Sequence, residues 1–305
     1  MADCSHSRRT CEEGRRPVSE RRTAPTVMQF VLGKRLRGLR DGAGLSAEEA
    51  AERIRVAQST VTRLEQAKTA LKYTTVKALL ELYQVSASDT QEFLDLVDKA
   101  NESGWWQGYH DVLPSWFGVH VSLESSASQI RSYEPQVVPG LLQTYAYCEA
   151  VMRLGFPRDS DDDIERRVTF RMERQGILTR RGSSLRLWAV VDETVFRRPA
   201  GDAQVMRDQI THLLHAADRP NVTLQIHPFS AGLHRGAFGP FTLFRFPIAD
   251  FPDIACIDNL QGSAYKDDPG EVALYRQTFD HMITGALPRS RTGSFLSDLS
   301  KEQYG

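Results

Sequence analysis

The chain has 305 residues, 41% of them hydrophobic and 25% charged, with four cysteines and a formal net charge of −1. Those proportions exclude a wholly disordered chain, a collagen and a disulfide-held miniprotein, and leave room for about two domains. No run of 18 apolar residues occurs, so no membrane-spanning helix is expected. Cys4, Cys11, Cys148 and Cys256 lie far apart without a Cys-x-x-Cys pair, which reads as reduced thiols in a cytoplasmic protein.

The charge is uneven. Residues 1–80 carry 16 Lys and Arg against 9 Asp and Glu, and the other 225 carry 22 against 30. A basic first segment on an acidic body points to contact with a polyanion through the first part alone.

Residues 1–27 are polar and Arg-rich, with Pro17 and Pro25, and are expected to form a disordered tail. No apolar stretch follows the arginines, as a secretory signal would require, and Met28 is a candidate start. Cys4, His6 and Cys11 lack a fourth ligand, so no metal is expected there.

Residues 28–100 read as five short helices. Leu32, Leu36 and Leu39 recur at helical spacing before Gly42 and Gly44. Ser46 with Glu49 forms a capping box, and Ala50, Ala51 and Ile54 face inward from the second helix. A third helix starts near Gln58 with Val61 and Leu64 inward. A fourth starts at Thr74 or Thr75, and Asp89 is the expected cap of a fifth.

Residues 101–139 form an aromatic connector with Trp105, Trp106, Tyr109, Trp116, Phe117 and Tyr133. Asp111, Glu124 and Glu134 give it the wrong charge for stacking nucleic-acid bases, so domain packing is the preferred reading. Residues 140–287 alternate. Helices are expected at 141–154, 164–178, 202–217 and 269–287, and strands at 185–192, 222–227, 241–246 and 254–258. The first two strands and their helix form a right-handed parallel crossover, and the later strands run antiparallel. Residues 288–305 read as a loose tail. The fold class is α+β, an all-α bundle followed by a mixed sheet with covering helices.

The segment from Leu45 to Glu65 carries the function. Two short helices packed nearly at right angles need a small residue at their contact (Ala51), apolar residues about the turn (Ile54, Val56) and apolar anchors beyond it (Val61, Leu64). The second helix opens with Gln58, Ser59 and Thr60, small polar residues able to meet base edges or phosphates. The segment resembles, without a gap, the lambda-repressor/Cro (XRE) helix-turn-helix pattern LSQEELAEKLGVSQSTISRIE. Two positions depart from it: Ala47 replaces a glutamine that often touches phosphate, and Arg55 replaces the turn glycine.

The resemblance implies a double-stranded DNA operator as partner. Gln58, Ser59, Thr62 and Arg63 would face the major groove, with Thr60 a further DNA contact and Arg35, Lys68 and Lys72 on phosphates. Glu65 would pair helices, since it repels phosphate. A homodimer on two half-sites is expected, held mainly by residues beyond 100.

The run from Trp105 through Tyr133-Glu134-Pro135 and Val138-Pro139-Gly140, with Arg167, Arg171, Arg174-Gln175, Asn259 and Tyr265, is similar to another family. That family is a C-terminal domain of unassigned function in actinobacterial regulators of the same type, some of them antitoxin-like. It implies a small partner protein encoded nearby as an alternative. Arg167, Arg171 and Arg174 share a helix face and suit an anionic ligand or a partner's carboxylates, although pairing with Glu165 and Glu173 is the preferred reading. The loop from Gly232 to Gly239 has no phosphate-binding order, and His227, His234 and Asp258 have no metal or acid–base spacing. No enzyme activity, cofactor or membrane contact is expected.

Overall fold

The computed structural model describes residues 27–101, 105–114, 117–180, 185–247, 252–259 and 262–305. The 1–26 segment with its cysteines, and Trp116, lie outside them.

The first five helices are α1 (Val27–Gly42), α2 (Ala47–Arg53), α3 (Gln58–Glu65), α4 (Tyr73–Leu82) and α5 (Ala87–Asn101). They enclose one core that includes Leu32, Leu36, Ala50, Val61, Leu64, Leu79, Phe93 and Val97. The start of α5 corrects the sequence reading. Ser86, not Asp89, precedes the helix, and its hydroxyl accepts the Asp89 N–H at 3.2 Å.

The second domain begins earlier than expected. A 3₁₀ turn at Trp105–Tyr109 leads into α6 (Phe117–Ser126) and β1 (Gln129–Glu134). Next come α7 (Tyr145–Gly155), α8 (Asp161–Arg174), β2 (Arg186–Asp192), α9 (Thr194–Arg197), α10 (Ala203–Ala217) and β3 (Val222–His227). The chain ends with β4 (Phe241–Arg245), β5 (Ile254–Asn259), β6 (Gly262–Lys266), α11 (Pro269–Gly285) and α12 (Arg289–Tyr304).

The six strands form one sheet in the order β3-β2-β1-β4-β5-β6. β1, β2 and β3 are parallel, and β4, β5 and β6 are antiparallel. The expected crossover from β2 through α10 to β3 is present. The expected connector is not, because β1 from that stretch is an inner strand of the sheet. One sheet face packs Leu187, Ala189 and Val191 with Leu123, Met206, Leu213 and Leu296. The other packs Val190, Phe241 and Leu243 under Val272, Phe279 and Met282 of α11.

The aromatic residues divide. Trp105 stacks on Phe170 of α8 at 5.1 Å, and Tyr109 and Phe117 approach the same ring. Tyr133 lies in the sheet core.

Residues 288–305 are not a loose tail. Leu296, Leu299 and Tyr304 are buried, and the Tyr304 hydroxyl donates to the Phe196 carbonyl at 2.7 Å. Spaced among serines and charges, these three residues give a weak periodic signal, and tertiary contact decides the helix. Leu296→Ala should therefore lower stability by about 2–5 kcal/mol in urea unfolding, as expected for a buried leucine. A loose tail would show no change.

Candidate nucleic-acid interface and C-terminal cleft

The start of α2 and the turn from α2 to α3 are built locally. The Ser46 hydroxyl accepts the Glu49 N–H at 3.1 Å, and the Glu49 carboxylate accepts the Ser46 N–H at 2.7 Å. This is the expected capping box, and its hydrogen bonds hold the Glu49 carboxyl below its ordinary pKa. Arg55 takes φ 57°, the left-handed conformation that the turn demands. It is exposed, so its side chain leaves the core free.

The far end of α3 is fixed to α1. At Gly33 a β-carbon would stand 2.6 Å from the Leu64 carbonyl oxygen and 2.8 Å from that of Glu65. Only glycine permits this approach. Beside it, Arg40 makes a two-pronged contact with Glu65, Nε to Oε1 at 2.7 Å and Nη2 to Oε2 at 3.0 Å. Both side chains are buried. The Glu65 hydrogen bond raises the Arg40 pKa against the cost of burial. Glu65 thus pairs helices, as its charge suggested.

With that end anchored, Gln58, Ser59 and Arg63 of α3 are exposed, while Thr60 and Thr62 are half-buried. The Thr62 hydroxyl donates to the Gln58 carbonyl at 3.2 Å. No side chain caps the first turn of α3, since Ala57 precedes it. Its leading N–H groups are the kind that receive phosphate at a helix N-terminus. Lys68 and Lys72 are exposed. Arg35 is exposed too, with its guanidinium 5.9 Å above the Phe93 ring.

Arg167, Arg171 and Arg174 of α8 do not act together. Arg167 pairs with Asp159 at 2.8 Å and lies 3.6 Å over the Phe156 ring. Arg174 is buried against Glu124 of α6 at 3.1 Å. The Arg171 guanidinium donates to the Gln143 side chain at 2.8 Å. None of them pairs with Glu165 or Glu173, which correct that sequence reading. Both glutamates are exposed on the outer side of α8, whereas the arginines reach inward to neighbouring elements.

Arg171 and Arg174 face a cleft of about 1050 Å³ between the sheet, α6 and the Pro139–Gln143 segment. Ile130, Ser132 and Glu134 of β1 line it, with Thr242 of β4 and Asp258 of β5. Desolvation, reinforced by Asp258, pushes the Glu134 carboxyl up to about 8, against the pull of Arg171 and Arg174. Burial and the neighbouring Arg174 charge bring the Arg171 guanidinium down to about 10. These polar residues were missed because nothing in the local pattern marks β1 as a strand.

His227, His234 and Asp258 do not meet as one set. His234 lies 3.6 Å from Asp192, with His227 beside it, while Asp258 joins His120 and Cys256. Both groups have the donor types and spacing to hold a metal. Protein hydrogen bonds account for part of each. His234 Nδ1 accepts the Gly236 N–H, leaving the proton on Nε2 toward Asp192. The Cys256 thiol, its pKa raised by burial, donates to Asp258 at 3.3 Å.

This arrangement is that of a helix-turn-helix protein with an appended α+β domain. Residues 31–93 match the family model described as a helix-turn-helix domain, which suggests a DNA-binding regulator. Residues 117–298 match the model described as a domain of unknown function, DUF5753. That match spans more than half of the chain, and the chain belongs to this family. No curated protein and no solved structure matches it. Among the described residues no helix is long and apolar enough to cross a membrane.

Two outcomes follow from the charges. Arg40→Met strands a buried carboxylate and should cost about 3–5 kcal/mol in urea unfolding, with much of the loss recovered by adding Glu65→Leu. Glu134 has a raised pKa, so its penalty on folding is absent below about 4.5, grows as pH rises and is complete above about 8. The thermal midpoint of Glu134→Gln should therefore pull ahead of the wild type between pH 5 and 8. Equal midpoints across that range would contradict the assignment.

Proposed function

We propose that the chain is a sequence-specific transcription regulator of the lambda-repressor/Cro (XRE) type, reading double-stranded DNA in the cytoplasm. The observation that carries this reading is the exposed face of α3. Gln58, Ser59 and Arg63 stand free on a helix whose other side is locked to α1 by Gly33 and the Arg40–Glu65 pair. Gln58 suits an adenine edge and Arg63 a guanine edge or a phosphate. Thr60 and Thr62 border them, and Arg35, Lys68 and Lys72 supply phosphate contacts.

The C-terminal domain provides dimerisation and senses a ligand or partner, and the chain has no reaction of its own. The segment after β3 supports a protein contact. Phe229, Leu233 and Phe238 are 58%, 93% and 98% exposed, a concentration of apolar surface that favours association. Among the described residues of the bundle, only Phe30 and Tyr73 are large exposed apolar residues, at 42% and 40%. The same segment favours the second reading, an antitoxin-like module that holds a small partner protein and regulates its own operon.

On duplex DNA, affinity should fall steeply between 50 and 200 mM salt, with Lys68→Ala and Lys72→Ala each flattening the log–log slope by about one. On a selected site, Gln58→Ala and Arg63→Ala should each cost roughly 1–3 kcal/mol. Fluorescence anisotropy measures both. Unchanged affinity and site preference in the last two variants would place the recognition surface elsewhere. Sedimentation should show a dimer for the full chain and a monomer for residues 28–100. A monomeric full chain at micromolar concentration would contradict the dimer.

A further inference from the structure

The cleft beneath α6 has the features of a built ligand site. Its floor is the sheet and its rim is tied down. The Gln143 side chain donates to the Val138 carbonyl at 2.7 Å, and Gln175 donates to the Gln143 carbonyl at 2.7 Å. Gln143 in turn fixes Arg171. At Gly140 a β-carbon would stand 2.5 Å from Arg174 Nη2, so the bare backbone makes room for that side chain.

The polar groups are not all used. Among the described residues Arg171 forms no ion pair and has one hydrogen-bond partner, Gln143. Arg174, by contrast, forms an ion pair with Glu124, although Nε and Oε2 of that pair make no hydrogen bond among the described residues. Ser132 is only 5% exposed, lines the cleft, and its hydroxyl has no hydrogen-bond partner among the described residues. A buried hydroxyl left unpaired is costly unless something arrives to meet it. Glu134 lines the same wall, and burial raises its carboxyl pKa toward the protonated, donating form. Phe117, Ile130 and Leu187 supply apolar wall. The volume lies at the upper end of what drug-sized ligands occupy.

We propose that this cleft binds a small monocarboxylate with an apolar body, its carboxylate received by Arg171 and its apolar part laid against Phe117, Ile130 and Leu187, with Ser132 donating to its polar end. One guanidinium without a carboxylate partner matches one negative charge. A phosphate dianion would meet the carboxylates of Glu124 and Asp258 on the same walls. The proposal deepens the sensor reading above and rests on it for its consequence. α6 lines the cleft with Phe117, His120 and Glu124, and its Leu123 shares a core with Val31 of α1. Occupancy is thereby placed one helix away from the element that anchors α3.

The test is calorimetric titration of the full chain with 4-phenylbutyrate and octanoate, alongside their neutral amides and inorganic phosphate. The carboxylates should bind saturably, one per chain, and raise the melting temperature. The amides and phosphate should not. Arg171→Gln should weaken carboxylate binding by about tenfold or more, Arg171→Lys by less, and Ser132→Ala by a few-fold. A wild-type circular-dichroism spectrum and a single cooperative melting transition in each variant show that it is folded. The proposal is overturned if neither carboxylate binds at millimolar concentration, if the amides bind as well, if phosphate competes, or if Arg171→Gln binds like the wild type. DNA affinity with and without carboxylate separates the two claims. Carboxylate binding that leaves DNA affinity unmoved contradicts sensing but not the site. Intact DNA binding without carboxylate binding contradicts the site alone.

Discussion

The close packing of α1 on the end of α3 is the constraint from which the remaining structure follows. Gly33 lets two backbones approach to a distance no side chain would tolerate, and the Arg40–Glu65 pair then fixes the rotation of one helix against the other. A buried ion pair is a weak source of net stability, since desolvation consumes most of its attraction. Its value lies in specificity, because a bidentate guanidinium–carboxylate contact accepts little change of angle. A recognition helix needs that rigidity. On the reading proposed above, three exposed side chains would meet bases only if the helix beneath them does not rock.

The same helix reaches the second domain. Val31 of α1 belongs to the core of the α+β domain, and Lys34 pairs with Asp267, just beyond β6, at 2.5 Å. α1 therefore packs against α3 on one side and the sheet domain on the other. α6 sits between α1 and the cleft, so a change in the cleft wall has a short path to α3. That path is two packed helices, the sort of rigid contact through which coupling travels.

Much of the bundle was legible in the sequence, because its signals are local. The Ser46–Glu49 box, the inward Ala51, Val61 and Leu64, and the unsuitability of Glu65 for a phosphate surface all read off short-range pattern. The α+β domain was legible at β2, which is apolar on both faces, and at β3, where Val222, Leu224 and Ile226 alternate with Thr223, Gln225 and His227. It was not legible at β1, whose inner positions carry Ser132 and Glu134. Those residues line a cleft instead of a core, so the strand that holds the candidate site is also the one that pattern conceals. β6 is an edge strand with little apolar content. The arginines of α8 share a helix face, but which of them meets a partner depended on Asp159, Glu124 and Gln143, residues 8 to 50 positions away. α12 was hidden for the related reason that three buried residues among polar ones give no periodicity strong enough to notice.

The most direct test of the central claim, that α3 reads DNA sequence, is selection of bound duplexes from a random pool by the full chain. Enrichment of one motif, arranged as two related half-sites about 10 base pairs apart from centre to centre, is the expected result for paired helix-turn-helix units. A pool that remains random after repeated rounds, with binding that depends on salt but not on sequence, would contradict it.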